Sequence, residues 1–290
     1  MAAGQERGQP PAGTGQWVEK PARAVLGQRY RRFVIRTHLI RAGERLTETL
    51  IPYLKGRVRP DDIVVLGEKA VAIAEGRAVL LQSIKPRRAA RFLSRQVRPL
   101  GYGLGLRRPE TMEMAIREAG LGRILLAAAV GAADRLLGRS GDFYRIAGRR
   151  VASIDGPGPT TIPPYHQYIV LAPTHPEILA NELSRRLEAA VAVVDVNDVG
   201  SEVLAASAGI DGHLVAELLR DNPMGQGSQR TPIGVLRPVP DMPPQALWLR
   251  VPAGKADGGM MLPMPGAGDA CPLWTVDQTA TTDAGSPPPG

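Results

Sequence analysis

The chain is poor in the residues that mark several common classes of protein. One of its 290 residues, Cys271, is cysteine, so no disulfide forms within it and no thiolate-rich metal site can be assembled. Aromatic residues make up 4%, too few to furnish the stacking platforms of a single-strand nucleic-acid binder. The four histidines, His38, His166, His175 and His213, are scattered without HExxH spacing or a neighbouring cysteine, and give no zinc pattern. No GxSxG elbow marks a serine nucleophile, although composition alone leaves a Ser/His/Asp triad open. The longest apolar stretch, ILLAAAVGAADRLLG from Ile124, is broken by Asp134 and Arg135, well short of the roughly 20 residues a membrane helix needs. The N-terminal MAAGQERGQPPAGTGQ lacks the apolar core of a signal peptide. A globular, cytoplasmic protein without a membrane partner is the expectation.

What is present is a 43% apolar content, enough to fill a core, and a net charge of +8. That charge is carried by 31 arginines against five lysines, beside 33 glycines and 27 prolines, a bias that GC-rich coding produces without selection for a polyanion. In RRAARFLSRQVR, Arg88, Arg91, Arg95 and Arg98 recur opposite Ala89, Phe92, Leu93 and Val97, which predicts an amphipathic helix with one arginine face. A solvated face is the simpler reading of it; a phosphate-bearing ligand is the sharper one.

Residues 1–28 and 254–290 are rich in Gly, Pro, Ala and Thr and are expected to lack structure, leaving a folded domain at 29–253. Within it, RRFVIRTHLI and DDIVVLGEKAVAIAEGRAVLLQ read as short strands joined by tight turns. PETMEMAIREAG opens on Pro109 and closes at Gly120 as a helix should. In THPEILANELSRRLEAA, Thr174 and Glu177 have capping-box spacing, and Ile178, Leu179, Leu183 and Leu187 are expected to share a buried face. DGHLVAELLRDNP has Asp211 as its N-cap and stops before Pro223. The predicted class is α+β (mixed α/β).

Candidate chemistry lies in oxygen-rich loops near strand ends: Asp155 in ASIDGPGP; Asp195, Asn197 and Asp198 in VAVVDVNDVG; Asp221, Asn222, Gln226 and Gln229 in RDNPMGQGSQRTP. Carboxylate and amide oxygens suit hard cations such as magnesium or manganese, which in turn can bridge a phosphate. The same residues also suit plain turns. The glycines of GYGLGLRRPE, Gly101, Gly103 and Gly105, precede a helix where free amides could hold an anion, but match neither a P-loop nor GxGxxG.

The stretches RTHLIRAGERL, DDIVVLGEKAVAIAEGR, GYGLGLRRPETMEMAIREAG, FYRIAGRRVASIDGPGP, VVDVNDVG and LLRDNPMGQGSQRTPIGVLR resemble, in order, the coenzyme F420:L-glutamate ligase family, and in particular a divergent branch of it. The resemblance implies a family-specific mixed α/β fold and a homodimer. It implies a ligase for which GTP is the co-substrate: a carboxylate of the deazaflavin substrate is phosphorylated, and the amine of L-glutamate displaces phosphate to form a γ-glutamyl amide. By position, Asp155 and Asp195 resemble the family's divalent-metal ligands, and Glu68, Lys69, Gln226 and Gly227 fall in its nucleotide-binding stretches; the resemblance gives Asp198 no fixed role, and its carboxylate beside Asp195 makes it a further candidate ligand.

Departures from the pattern bear on activity. Ile73 stands where the ligases carry a lysine near the nucleotide; Lys69, four residues earlier, would lie on the same face of a strand but about 13 Å away. Gly158 replaces an asparagine and Val196 a threonine beside the two metal aspartates. Three readings stay open: a metal-dependent ligase acting on this or another carboxylate, a non-catalytic binding or regulatory homologue, and, least favoured, a nucleic-acid binder using the arginine face.

Overall fold

Alternation along VAVVDVN assigns successive side chains to opposite faces of a sheet. Val191 and Val193 enter one core and Ala192 and Val194 another. A strand apolar on both faces must lie in the interior of a sheet covered on both sides, and the computed structural model places it there. Its described residues are 15–97, 105–136, 142–158, 161–197, 200–225, 227 and 229–240, all within one compact unit.

Nine-residue β1 (Trp17–Val25) pairs antiparallel with β2 (Gln28–Ile35). Two single-turn helices follow, α1 (Leu46–Thr49) and α2 (Ile51–Leu54), then β3 (Ile63–Gly67) and α3 (Glu68–Ala74). A long crossover contains β4 (Ala78–Leu80), α4 (Arg88–Gln96), α5 (Pro109–Ala119), α6 (Leu121–Leu136), α7 (Asp142–Ala147), α8 (Arg149–Ala152), β5 (Tyr168–Val170) and α9 (Pro176–Leu187). β6 (Ala190–Asn197), β7 (Gly200–Ala206), α10 (Gly212–Leu219) and β8 (Ile233–Pro238) complete the unit. The main sheet has the order β1-β2-β8-β3-β6-β7, with β3 and β6 parallel and every other pair antiparallel. β4 and β5 form a separate two-stranded sheet. This is the expected α+β class, built on a mixed sheet.

Three cores divide the structure. One face of the main sheet packs Val64, Leu66, Val191 and Val193 with Leu54, Ala180 and Leu183. The other packs Val65, Ala192 and Val194 with Val215, Leu218 and Leu219 of α10. The third unites Leu93, Met112, Ile116, Ile124 and Val151 with Ile169 and Leu171, while Val170 between them turns to the first core. β5 therefore joins the helical layer to the main sheet.

Several expectations are corrected. Residues 17–25 lie in the segment expected to lack structure, yet form an edge strand; Arg31 and Glu19 pair across it with Nε–Oε1 at 2.7 Å, and Trp17 packs against Phe33. Sparse apolar residues suffice there because an edge strand buries little. EKAVAIA, expected as strand, is helix α3, with Val71, Ala72, Ile73 and Ala74 all buried in the first core. Thr174 makes no capping box: the N-cap of α9 is His175 without a side-chain cap, and the Thr174 amide donates to Glu75 Oε2 at 2.6 Å. Leu183 is buried and Leu179 and Leu187 pack against the first core, as expected, whereas Ile178, assigned to the same face, is exposed.

Other expectations hold. α5 begins at Pro109 and ends before Gly120, whose φ of 83° requires glycine. Asp211 caps α10 by accepting from the His213 amide at 2.8 Å. α4 spans Arg88–Gln96 with Ala90 and Leu93 inward, although Phe92, assigned to the apolar side, is exposed. Among the described residues no helix is long and apolar enough to cross a membrane. Arg98, Gly101, Gly103 and residues 241–290, which include the expected C-terminal tail, lie outside the described residues.

Candidate functional site

The parallel pairing of β3 with β6 sets Gly67 opposite Val194. The next residues, Glu68 just past β3 and Asp195 within β6, are thereby close enough for their charges to repel. Glu68 opens α3 directly from the strand, with Gly67 as the N-cap. The Gly67 amide donates to Pro232 O at 2.8 Å, and Met224 Cε lies 3.7 Å from the position a Cβ on Gly67 would take. The late loop that carries Gly227 thus passes beside the start of α3.

Glu68 is 3% exposed, and its Oε2 has no hydrogen-bond partner. Burial, then repulsion from Asp195, push its carboxyl up to about 8, against the opposing pull of Lys69 and of a hydrogen bond with Ser153. Lys69 Nζ lies 2.5 Å from Asp155 Oδ2. Asp155 is held by its own backbone: its amide donates to Val170 O at 2.9 Å, and the Val170 amide donates back at 3.0 Å. Lys69, next to Glu68 at the start of α3, therefore ties Asp155 to the end of β3.

Residues not singled out from the sequence surround this group. Glu202 pairs with Asp195 across the β6–β7 hairpin and makes a close ion pair with Arg149 of α8. Asn197 shapes that hairpin, its Oδ1 accepting from the Gly200 amide at 3.1 Å. The period-two pattern on either side of the hairpin was the signal that could have found Glu202. Beyond Asp155, a shallow cavity of about 300 Å³ is lined by Gln82, Arg108, Gly158 and His166, among others.

The oxygen donors suit a hard cation: a buried carboxylate oxygen lacking a partner beside a second carboxylate is a position that positive charge would stabilise. Among the described residues, however, no three carboxylate, histidine or cysteine side chains are grouped as a metal cage. Glu68 and Asp195 converge, whereas Asp155 is engaged by Lys69. Asp198 and Gln226 lie outside the described residues. Asp221 is removed from the site: it pairs bidentately with Arg32, with Nη2–Oδ2 at 2.8 Å, and Arg32 also donates to Leu218 O and Pro21 O. Asn222 closes a turn, its Oδ1 accepting from the Gly225 amide at 3.0 Å.

The helical form of residues 68–74 also changes the relation between Lys69 and Ile73. Four residues of helix advance about 6 Å rather than the 13 Å of a strand, and both side chains lie on one side of α3. Ile73 is 8% exposed within the first core.

Comparison with curated proteins gives no match. Residues 34–199, from the last two residues of β2 to just past β6 and including Glu68, Lys69, Asp155 and Asp195, match the family described as F420-0:Gamma-glutamyl ligase. That match spans more than half of the chain, which belongs to the F420-0:gamma-glutamyl ligase family.

Proposed function

We propose that the protein is an amide-forming ligase that couples L-glutamate, through its amino group, to a carboxylate substrate at the expense of a nucleoside triphosphate, GTP in the first instance. The γ-phosphoryl group passes to a substrate carboxylate oxygen, giving an acyl phosphate and the nucleoside diphosphate. The amine then attacks the acyl carbon; the C–O bond to phosphate breaks, inorganic phosphate leaves, and the nitrogen loses a proton. Magnesium or manganese, with Glu68 and Asp195 among its ligands, would neutralise phosphate oxygens at the stage where charge is most concentrated.

The observation that carries this reading is the approach of Glu68 to Asp195 beside the β3–β6 ladder, with Lys69, the residue after Glu68, reaching Asp155. Glu68 Oε2 supplies an unshared oxygen there. Lys69 supplies the cation able to reach a phosphate. Gly227, in the late loop, has φ 98°, a backbone conformation that favours glycine.

The test is thermal unfolding with Mn²⁺ and GTP, together and separately. Stabilisation of the wild-type chain should be largely lost in Asp195→Asn, as expected for a ligand bound only by the native state. Mass spectrometry of a reaction with coenzyme F420-0 and L-glutamate should then show the glutamylated product. Absence of any shift with either metal and nucleotide removes the ligase reading.

A second reading, a non-catalytic ligand-binding homologue, is favoured by the burial of Ile73 at the position where the family carries lysine. Binding of metal and nucleotide without nucleotide turnover or product would select it.

A further inference from the structure

The excess positive charge is not spread along the chain. Nine of the 36 basic residues and none of the 28 acidic ones lie in residues 76–109, so the remainder, with 27 basic residues against 28 acidic, is close to neutral. A coding bias accounts for arginine in place of lysine, but not for a stretch of this length without an acid. Two of the nine are neutralised from outside it, Arg77 by Glu118 and Arg87 by Glu113. Lys85, Arg88, Arg91 and Arg95 are exposed, and among the described residues none of them has a carboxylate partner. Three of these cations belong to α4. Its rotation is fixed: Ala90 and Leu93 pack into the helical core, and Arg87, the N-cap, donates to Glu113 from both its amide and its Nε. Arg88, Arg91, Phe92 and Arg95 then fall within an arc of about 100° on the outer side, over about 10 Å of helix axis. Phe92 is 63% exposed among the three arginines of that face.

An aromatic ring left in water beside unneutralised cations fits a partner that is anionic at its surface and apolar beneath it. A bilayer of anionic lipids has both properties. We propose that the outer face of α4 rests on such a bilayer, with Phe92 entering the headgroup layer and Arg88, Arg91 and Arg95 on lipid phosphates. The guanidinium fork matches phosphate oxygens two at a time, which a lysine ammonium cannot do. A bilayer that is touched rather than crossed requires no long apolar helix. Shape favours it over a single-stranded nucleic acid, which takes a charged groove and a series of stacking rings. The side of a helix is convex, no residue of α4 lines the cavity of about 300 Å³, and Phe92 is the one ring on the face. A two-fold dimer centred on this face would set arginine against arginine.

The experiment is sedimentation of the full chain with vesicles of phosphatidylcholine alone and of equimolar phosphatidylcholine and phosphatidylglycerol. It is run at physiological salt and at about 1 M, where charges are screened within about 3 Å. Wild type should sediment with the anionic vesicles only and be released at high salt. Arg88→Gln, Arg91→Gln and Arg95→Gln, combined, should abolish binding. Arg41→Gln, Arg59→Gln and Arg185→Gln, combined, remove as much charge from other exposed positions and should leave most of it. Phe92→Ala should bind about tenfold more weakly, and Phe92→Trp at least as well as wild type. All four variants should melt near wild type, because the altered side chains are exposed. Failure of wild type to sediment with anionic vesicles, equal binding by Phe92→Ala and wild type, or equal losses in the two triple variants overturns the proposal. So does displacement from the vesicles by a single-stranded oligonucleotide at equal phosphate concentration, which would assign the face to nucleic acid.

Discussion

Glu68 and Asp195 stand side by side because Gly67 and Val194 are partners in the parallel β3–β6 ladder. Two carboxyls so placed repel, and one of them is buried. Their conflict makes stability depend on pH in a direction opposite to that of an ordinary paired acid.

The Glu68 carboxyl titrates at about 8 in the folded chain against 4.5 for a free side chain. Below the lower value it is protonated in both states and costs nothing. As pH rises between the two, the unfolded chain gains an ionised group that the folded chain resists. Stability therefore falls by about 1.4 kcal/mol per pH unit, to a limit of roughly 4–5 kcal/mol. Glu68→Gln should melt close to wild type near pH 4.5 and several degrees above it at pH 8, in metal-free buffer. Parallel melting curves at every pH would refute this account.

Arg32 is 2% exposed, and Asp221 is its anionic partner. Asp221→Ala leaves a buried guanidinium with only the carbonyls of Pro21 and Leu218. The cost expected in urea unfolding is about 2 kcal/mol, less than for a fully buried pair because Asp221 is half exposed. Hydrogen bonding from Arg32 holds the Asp221 carboxyl below its ordinary 3.8. The stabilisation is thus present above that value and is lost as pH falls through the lower folded value. Wild type and variant should converge on acidification.

Gly234 sits in β8 between β2 and β3, where a Cβ would lie 2.6 Å from Val65 Cγ2 and 3.5 Å from Phe33 O. Gly234→Ala should destabilise by about 1–3 kcal/mol through overpacking. Adding Val65→Ala, which removes the obstructing methyl groups, should make the double variant less unstable than the sum of the two single changes. Simple additivity would show that the clash is relieved elsewhere.

Helix ends with a local cause were legible in the sequence. Pro109, Gly120 and Asp211 act on the backbone within a few residues, and all three behave as expected. α3 was not, because EKAVAIA carries apolar residues compatible with either structure. Its helix is selected by the first core, which takes Val71 through Ala74 at once. The cap of α9 failed for a similar reason: Glu75, from another part of the chain, takes the Thr174 amide. Of the candidate site, Asp155 and Asp195 were visible as types of residue near strand ends. That Lys69 would reach Asp155 was not, because the contact depends on where the crossover returns Asp155 to pair with Val170.

Asp155 takes its position from Val170 in the small sheet, whereas Glu68 and Asp195 take theirs from the β3–β6 ladder of the large one. The group thus takes its geometry from two ladders, which meet where Val170 enters the first core. A volume change at Ile169, whose side chain enters the helical core, would pass through its neighbour Val170 to the reach required of Lys69, with no residue of the site altered. Substitutions deep in that core should therefore act as fine adjustments of the carboxyl spacing, and distance from the site is a poor guide to which positions tune it.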